Sequence, residues 1–314
     1  MRNNNFKLLI KELIGKTINI SGVSTLITKD KFFVFCYHEI TDKPSDFQKK
    51  NKLFVTKKNF KKQIGFIKKL FNVINPDDLN LDTKFKNSAL ITFDDGYEGS
   101  FNFAVNYLKK LKIIPIFFLN MSAIKNNVPL LPASLEFLDM NFNKYKTYIE
   151  KFKISHPVSL NIQPNQFNFF EKYIKSNMEK INKYQGKMIN IKHLKKEQFK
   201  NKFFISDHLY EHFNCLVLKK KEIINLSKKN IEILKNFHNF LNFFSFPNGV
   251  PNICFNKKNV NWIKNLNYKK AFSSGNSSNL SNVKFLIDRI NLNNDDDTYN
   301  KFLFKLFQSQ KRKH

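Results

Sequence analysis

Between Phe32 and Ile290 the chain repeats one pattern: a short, almost unbroken apolar run, then a longer stretch with apolar residues three and four apart. The runs are Phe32–Ile40, Phe71–Ile74, Ser88–Phe93, Ile113–Leu119, Phe203–His208, Phe243–Pro247, Lys269–Ser274 and Lys284–Ile290. Each reads as a buried strand. Helical spacing follows Thr56, a candidate N-cap, in Phe60, Ile64, Ile67 and Leu70. It returns over Ser100–Leu111 and in Ile223, Leu226, Ile233, Leu234 and Phe237. Such alternation predicts an α/β fold with a mainly parallel sheet, and seven or eight units suffice to close a barrel. Residues 122 to 200 break the rhythm. They are polar, rich in Asn and Lys and helical in period, and read as a helical insertion without a core of its own. The expected organisation is an N-terminal amphipathic segment (1–30) with a short helix over Phe6–Ile14, a domain over 31–293, and a C-terminal helix from Asp295 to Gln308 with a basic tail (294–314).

Composition changes this picture in three ways. With 314 residues, 42% of them hydrophobic, the chain can bury one large core. Its 54 basic and 25 acidic residues give a charge of +29. The lysines are spread along the chain and no recognition motif is visible. The expectation is therefore no nucleic-acid partner, with an anionic membrane surface as the alternative use of the charge. Three distant cysteines, Cys36, Cys215 and Cys254, form no disulfide framework. Lys11, Glu12 and Lys16 interrupt the apolar N-terminal stretch, which argues against a signal peptide or membrane span. Both features predict a cytoplasmic protein, peripheral on the inner membrane face if it touches a membrane. The 36 phenylalanines read as compositional, with Tyr97, Tyr210 and Phe246 as candidates to stack on a sugar ring. Trp262 is expected in the core, and His156, His193 and His238 on the surface.

The chemistry begins at Ser88–Gly99, SALITFDDGYEG. Asp94 and Asp95 stand side by side where a buried strand ends, and two such acids are costly unless something stabilises each of them. His38, His208, Pro247, Asn248 and Arg289 also fall at or just past strand ends, where sites form in parallel α/β folds. His208 and His212 are spaced H-x-x-x-H, which on a helical turn puts both imidazoles on one face. With Asp95 they make a two-His, one-carboxylate set suited to a catalytic divalent metal. Asp94 is then free to act as general base. Only three of the 54 basic residues are Arg (Arg2, Arg289 and Arg312), and Arg289 is the interior one. Its rigid fork can orient Asp94; the competing partner is its neighbour Asp288.

ITFDDGYEGS together with DHLYEH resembles the polysaccharide deacetylases, the chitooligosaccharide deacetylase-like domain of carbohydrate esterase family four. The hallmark T-F-D-D-G and H-x-x-x-H motifs stand here at Thr92–Gly96 and His208–His212. FCYHEI is similar to the family's early Y-H-x-I strand, FSFPNG to its third motif, and YKKAFSSGNS and IDRINL to its closing strands. The resemblance covers about residues 30 to 293. It implies a distorted (β/α) barrel of about seven strands and metal-dependent removal of N-acetyl groups from amino sugars. It implies Asp95, His208 and His212 as metal ligands and Asp94 as base. The metal is usually zinc, sometimes cobalt or nickel. The backbone N–H of Tyr97 would face the oxyanion, and Phe246, Pro247 and Asn248 would form the substrate strand. Two departures stand out. The third motif has no Arg, so Arg289 is expected to substitute for it. The late L-x-x-H motif is missing, so His38, steered by Asp42 or Asp288, is the candidate acid. The expected substrate is an N-acetylated carbohydrate, a precursor of surface polysaccharide or lipopolysaccharide. The alternatives are a catalytically silent descendant that binds glycans or partners, and a hydrolase of O-acetyl or formyl groups.

Overall fold

The computed structural model describes residues 2–81, 83–200 and 202–310. The expected basic tail beyond Gln310 lies outside the described residues.

The apolar runs become the strands of one twisted sheet. They are β1 (Lys31–Tyr37), β2 (Ser88–Phe93), β3 (Ile116–Leu119), β4 (Phe204–Asp207), β5 (Phe240–Ser245), β6 (Lys270–Phe272), β7 (Leu286–Ile287) and β8 (Ile290–Asn291). β1 to β7 pair in sequence order, each parallel to the next. β8 pairs parallel to β1, with Phe35 opposite Ile290 and Cys36 opposite Asn291. The run expected as one strand over Lys284–Ile290 is thus split. Its first part pairs with β6 and its second with β1, and Asp288 and Arg289 form the seam that brings the sheet round into a nearly closed barrel. Two short strands flank this path: Asn72–Val73 pairs with β2, and Asn279–Leu280 runs antiparallel to β1.

The period of two along each strand sorts the side chains. Phe32, Val34, Leu90, Ile116, Phe118, Phe243, Phe272 and Ile287 fill the barrel interior as one buried cluster. Alternate residues such as Phe33, Phe35, Ile91, Phe93 and Phe117 pack outward beneath the helices. In β1 to β3 the even-numbered positions lead inward, and the same alternation carries Thr92 on to Asp94 at the top of the barrel.

The helices that matter here are α1 (Arg2–Ile20), α2 (Val23–Thr28), α3 (Lys57–Leu70), α4 (Leu131–Asn141), α5 (Lys220–Leu234), α6 (Lys257–Lys264) and α7 (Tyr299–Gln310). Thr56 caps α3 through the backbone N–H of Asn59, and Phe60, Ile64 and Ile67 are buried beneath it. Ser100–Val105 is a π-helical turn rather than the start of a regular helix. Gly99, just before it, has no room for a side chain, because an added Cβ would lie 2.4 Å from a carboxylate oxygen of Glu39. The connection between β3 and β4 is helical, but it has a core. Leu131, Leu135, Tyr145, Ile149 and Phe170 join Leu209, Phe213, Phe244 and Phe246 in one cluster. Polar sequence hid this because its apolar residues pack partly on one another, as Tyr145 does on Phe170, and partly on residues of the barrel's strands and loops far along the chain. Trp262 is half-buried on that cluster rather than inside it.

Asp288 holds the seam. Its carboxylate accepts from Ser273 Oγ (2.7 Å) and from the backbone N–H groups of Gly275 (2.5 Å), Ser277 (3.0 Å) and Arg289 (2.9 Å). Removing it leaves several buried donors unpaired, each costing ~1–3 kcal/mol. Asp288→Ala is expected to lower unfolding stability by about 2–4 kcal/mol, read from the midpoint of urea denaturation. A change within about 0.5 kcal/mol would show that the seam is held elsewhere.

Candidate active site

Arg289 is fully buried at the seam and reaches across the top of the barrel. Nη1 donates to Asp94 Oδ1 and Nη2 to Asp94 Oδ2, both at 2.7 Å, a bidentate pair. Nε donates to Ser273 O (3.0 Å), and Nη2 also reaches Ser245 Oγ (2.8 Å) and Ser274 Oγ (3.1 Å). The guanidinium lies over the Phe118 ring at 5.3 Å. Asp288 is committed to the seam, so the two readings of Arg289 separate: its side chain serves Asp94. Burial alone would push the Asp94 carboxyl up, but the Arg289 charge more than offsets this and holds it well below the usual carboxylate range.

Asp95 is arranged differently. It sits at φ 71°, followed by Gly96 at φ 97°. That left-handed pair ends the β2 ladder and swings the Asp95 carboxylate sideways; Asp tolerates the conformation better than most residues. Asp95 Oδ1 is buried and has no hydrogen-bond partner among the described residues. Facing it are His208 Nε2 at 3.6 Å and His212 Nε2 at 3.5 Å. The two histidines do not share a helix, as their spacing suggested. Residues 208–219 are irregular, and convergence comes from a reversal at Leu209, φ 65°. That strained residue is pinned on both sides. Its N–H donates to Asp207 Oδ1 (2.6 Å), and its carbonyl accepts from Asn120 Nδ2 (2.8 Å). Asp207 is itself held by Asn230 Nδ2 (2.5 Å) and the Tyr268 hydroxyl.

The donor set fits a divalent cation. Burial pushes the pKa of both imidazoles down, His212 to about 3 with His208 adding to the effect, so both rest in the neutral form that ligates metal. His208 Nδ1 bonds Ser245 O at 2.9 Å, which turns Nε2 toward Asp95. Burial and the charge of Asp94 push the Asp95 carboxyl well up, the cost that a cation there would offset. Donors 3.5–3.6 Å apart match two ligands about 2.1 Å from one small cation.

These groups open into a cleft of about 420 Å³. His38, Asp94, Asp95, His208, His212, Asn248, Ser274 and Asn291 line its floor, and α4, Tyr145 and His156–Ser159 of the insertion line its wall. His156 is exposed, as expected, yet stands on this wall. Burial, opposed by the Asp94 charge, takes His38 down to about 4. Its expected steering by Asp42 or Asp288 is not what the structure has, since Asp42 accepts the N–H of Lys57 at the start of α3. Phe246 and Pro247 do not reach the cleft. Phe246 is fully buried, stacked on Phe255 at 3.9 Å, and Pro247 is buried with it. Tyr97 is equally buried, with Ala123 and Leu130. Neither ring can stack on a sugar, because each is needed in the core. Asn248 alone of that strand reaches the cleft. Sequence reasoning missed Ser245, Ser274 and Asn291. The period-two step from Arg289 to Asn291 could have pointed to Asn291; serines carried no signal.

The fold and cleft define a parallel α/β barrel with a buried Asp94–Arg289 pair beside a metal-type donor set. A family model described as polysaccharide deacetylase matches residues 82–271, and the chain belongs to that family. No curated protein matches it in sequence. Among solved structures it is similar to the Streptococcus pyogenes deacetylase PplD in complex with acetate (14% identity, TM-score 0.58, 91% of this chain and 100% of that one). It is also similar to IcaB from Ammonifex degensii (13%, 0.56, 88% and 97%) and to a de-N-acetylase from Aggregatibacter actinomycetemcomitans (13%, 0.53, 87% and 98%). At this identity the likeness shows the fold.

Two outcomes follow from the site's electrostatics. Arg289→Met leaves Asp94 buried without its counter-charge and is expected to cost about 3–5 kcal/mol of stability, measured by chemical denaturation; a loss under about 1 kcal/mol would mean Asp94 is neutral in the wild type. Glu39, next to His38, is buried and its pKa is raised from 4.5 to about 7, chiefly by burial. The folded chain then holds a proton that the unfolded chain has released, so this group's contribution falls as pH rises from about 4.5 to about 7. Glu39→Gln is expected to gain about 2–4 kcal/mol relative to wild type between pH 4.5 and pH 7.5, read from paired denaturation curves. A gap independent of pH would contradict the shift.

Proposed function

We propose that this protein removes N-acetyl groups from an amino sugar in a precursor of surface polysaccharide or lipopolysaccharide, with a divalent metal, zinc by preference. The observation that carries the reading is the orphaned Asp95 carboxylate facing two neutral imidazoles, beside an Asp94 locked ionised by Arg289. Asp95, His208 and His212 would hold the cation, which supplies Lewis acidity toward the acetyl carbonyl and acidifies water. Asp94 takes the proton from the attacking water, and Arg289 fixes its charge and direction. The Tyr97 N–H is the proposed backbone donor to the developing oxyanion. The amide C–N bond breaks as the nitrogen gains a proton, giving acetate and the free amine. His38 is the proposed donor. It rests neutral, so it must be loaded within the turnover by the proton that Asp94 takes from water. That low basicity also favours a second reading, in which Asp94 returns the proton itself. A cytoplasmic site of action belongs to the proposal and is supported by three buried, unpaired cysteines.

Metal analysis of protein purified without chelator, beside acetate release from N-acetylglucosamine oligomers, tests this. About one metal per chain is expected in the wild type, lost in His212→Ala. Activity should fall at least ~10³-fold in Asp94→Asn. His38→Gln separates the two proton routes: a loss above ~100-fold supports His38, and near-wild-type turnover supports Asp94. Glycan binding without acetate release in any metal-loaded form would instead make the chain a silent binding module.

A further inference from the structure

The N-terminal helix is mounted inside out. At 3.6 residues per turn, Phe6, Leu9, Leu13 and Ile20 of α1 fall within about 60° of one another, and all four are exposed, at 63, 55, 57 and 75%. Ile10 and Ile14 extend the stripe at 38% each. The opposite face is the docked one, and it is held by polar and small residues. Glu12 accepts from Thr298 Oγ1 (2.5 Å) and Asn300 Nδ2 (2.7 Å). Gly15 lets α1 cross at the start of α7, where an added Cβ would lie 1.9 Å from Asn300 O. Ile18 is buried beneath. Fixed this way, the helix cannot turn its apolar stripe inward. Leu26 of α2, 70% exposed, adds a further apolar residue just beyond it.

We infer that this face is a docking surface for an anionic lipid bilayer. An apolar stripe of this size left in water is unfavourable on a monomer and marks an interaction site. Charge chooses the occupant. Lys7 and Lys16 are exposed on either flank of the stripe, Lys29 is exposed after α2, and the chain carries +29. An apolar strip edged by lysines on a strongly cationic body matches the boundary between acyl chains and anionic headgroups. Among the described residues no helix is long and apolar enough to cross a membrane, so the contact is with the surface. The inference is independent of the chemistry in the cleft.

The test is co-sedimentation of the full chain with vesicles of phosphatidylcholine alone and of phosphatidylcholine with 30% phosphatidylglycerol. Binding is expected to the anionic vesicles and to be at least tenfold weaker on neutral ones. Leu9→Glu with Leu13→Glu should reduce it tenfold or more. Both side chains are exposed, so the fold should survive, and an unchanged thermal transition checks this. Lys7→Ala with Lys16→Ala leaves the stripe intact and should weaken binding roughly fivefold per lysine. No binding to anionic vesicles, equal binding to neutral ones, or unchanged binding by the leucine variant would overturn the inference. So would a stable dimer in solution that the leucine variant disperses, because the stripe would then be covered by a second copy.

Discussion

The buried pair between Asp94 and Arg289 is the constraint on which the rest depends. Both partners are out of water, and desolvating two charges generally costs about as much as their attraction returns. Geometry tips the balance here: two parallel bonds of 2.7 Å to the carboxylate, with further bonds from the guanidinium to two serine hydroxyls and a backbone carbonyl. The pair also joins the first half of the barrel to its closing segment, since Asp94 follows β2 and Arg289 lies between β7 and β8. A lysine could supply the charge but not the fork. This accounts for one interior Arg in a chain that otherwise uses Lys.

Once Asp94 is neutralised by Arg289, Asp95 is left over. Two left-handed residues, Asp95 and Leu209, aim the remaining donors at one point. Backbone strain of this kind persists only where the surroundings over-determine it. Here the β2 ladder and the close packing of Ile124 and Leu119 against Gly96 fix the first turn, and Asp207, Asn120 and Asn230 fix the second. FSFPNG carries no Arg, yet an Arg arrives at Asp94 from the closing segment between β7 and β8. What a buried, ionised Asp94 requires is a fork on its carboxylate, whichever segment provides it.

The insertion and the N-terminal helix act at a larger scale. The insertion gives the cleft a wall through α4, Tyr145 and His156, so the shape offered to a sugar depends on the most polar and least patterned part of the chain. The N-terminal helix departs from the usual rule for a surface helix: it docks through Glu12, Gly15 and Ile18 and turns its wider apolar stripe outward. The cleft concentrates buried carboxylates, while the outer surface is cationic. Chemistry and attachment are thus separated in space.

The apolar runs by themselves determined most of the strands and their parallel direction, because a strand buried on both faces must be continuously apolar; the split of Lys284–Ile290 was not among them. Ser88–Phe93 and the Thr56 cap are where expectation and structure agree to the residue. The motif spacing brought Asp94, Asp95, His208, His212 and Arg289 under suspicion through their shared place at strand ends. Only the tertiary structure decided how they meet. Whether Arg289 served Asp94 or Asp288 depended on which way a split closing strand faces, and no local pattern records that. The histidines converge through a strained loop rather than a helical face, because Leu209 accepts a hydrogen bond from distant Asn120 and donates one to Asp207, which distant Asn230 holds in place. Phe246 and Tyr97 are core rather than platform, because burial is a property of neighbours far along the chain. The outward stripe of α1 could not be read from periodicity either. An amphipathic pattern says that a helix has two faces, and only packing against Asn300 and Thr298 decides which of them meets the protein.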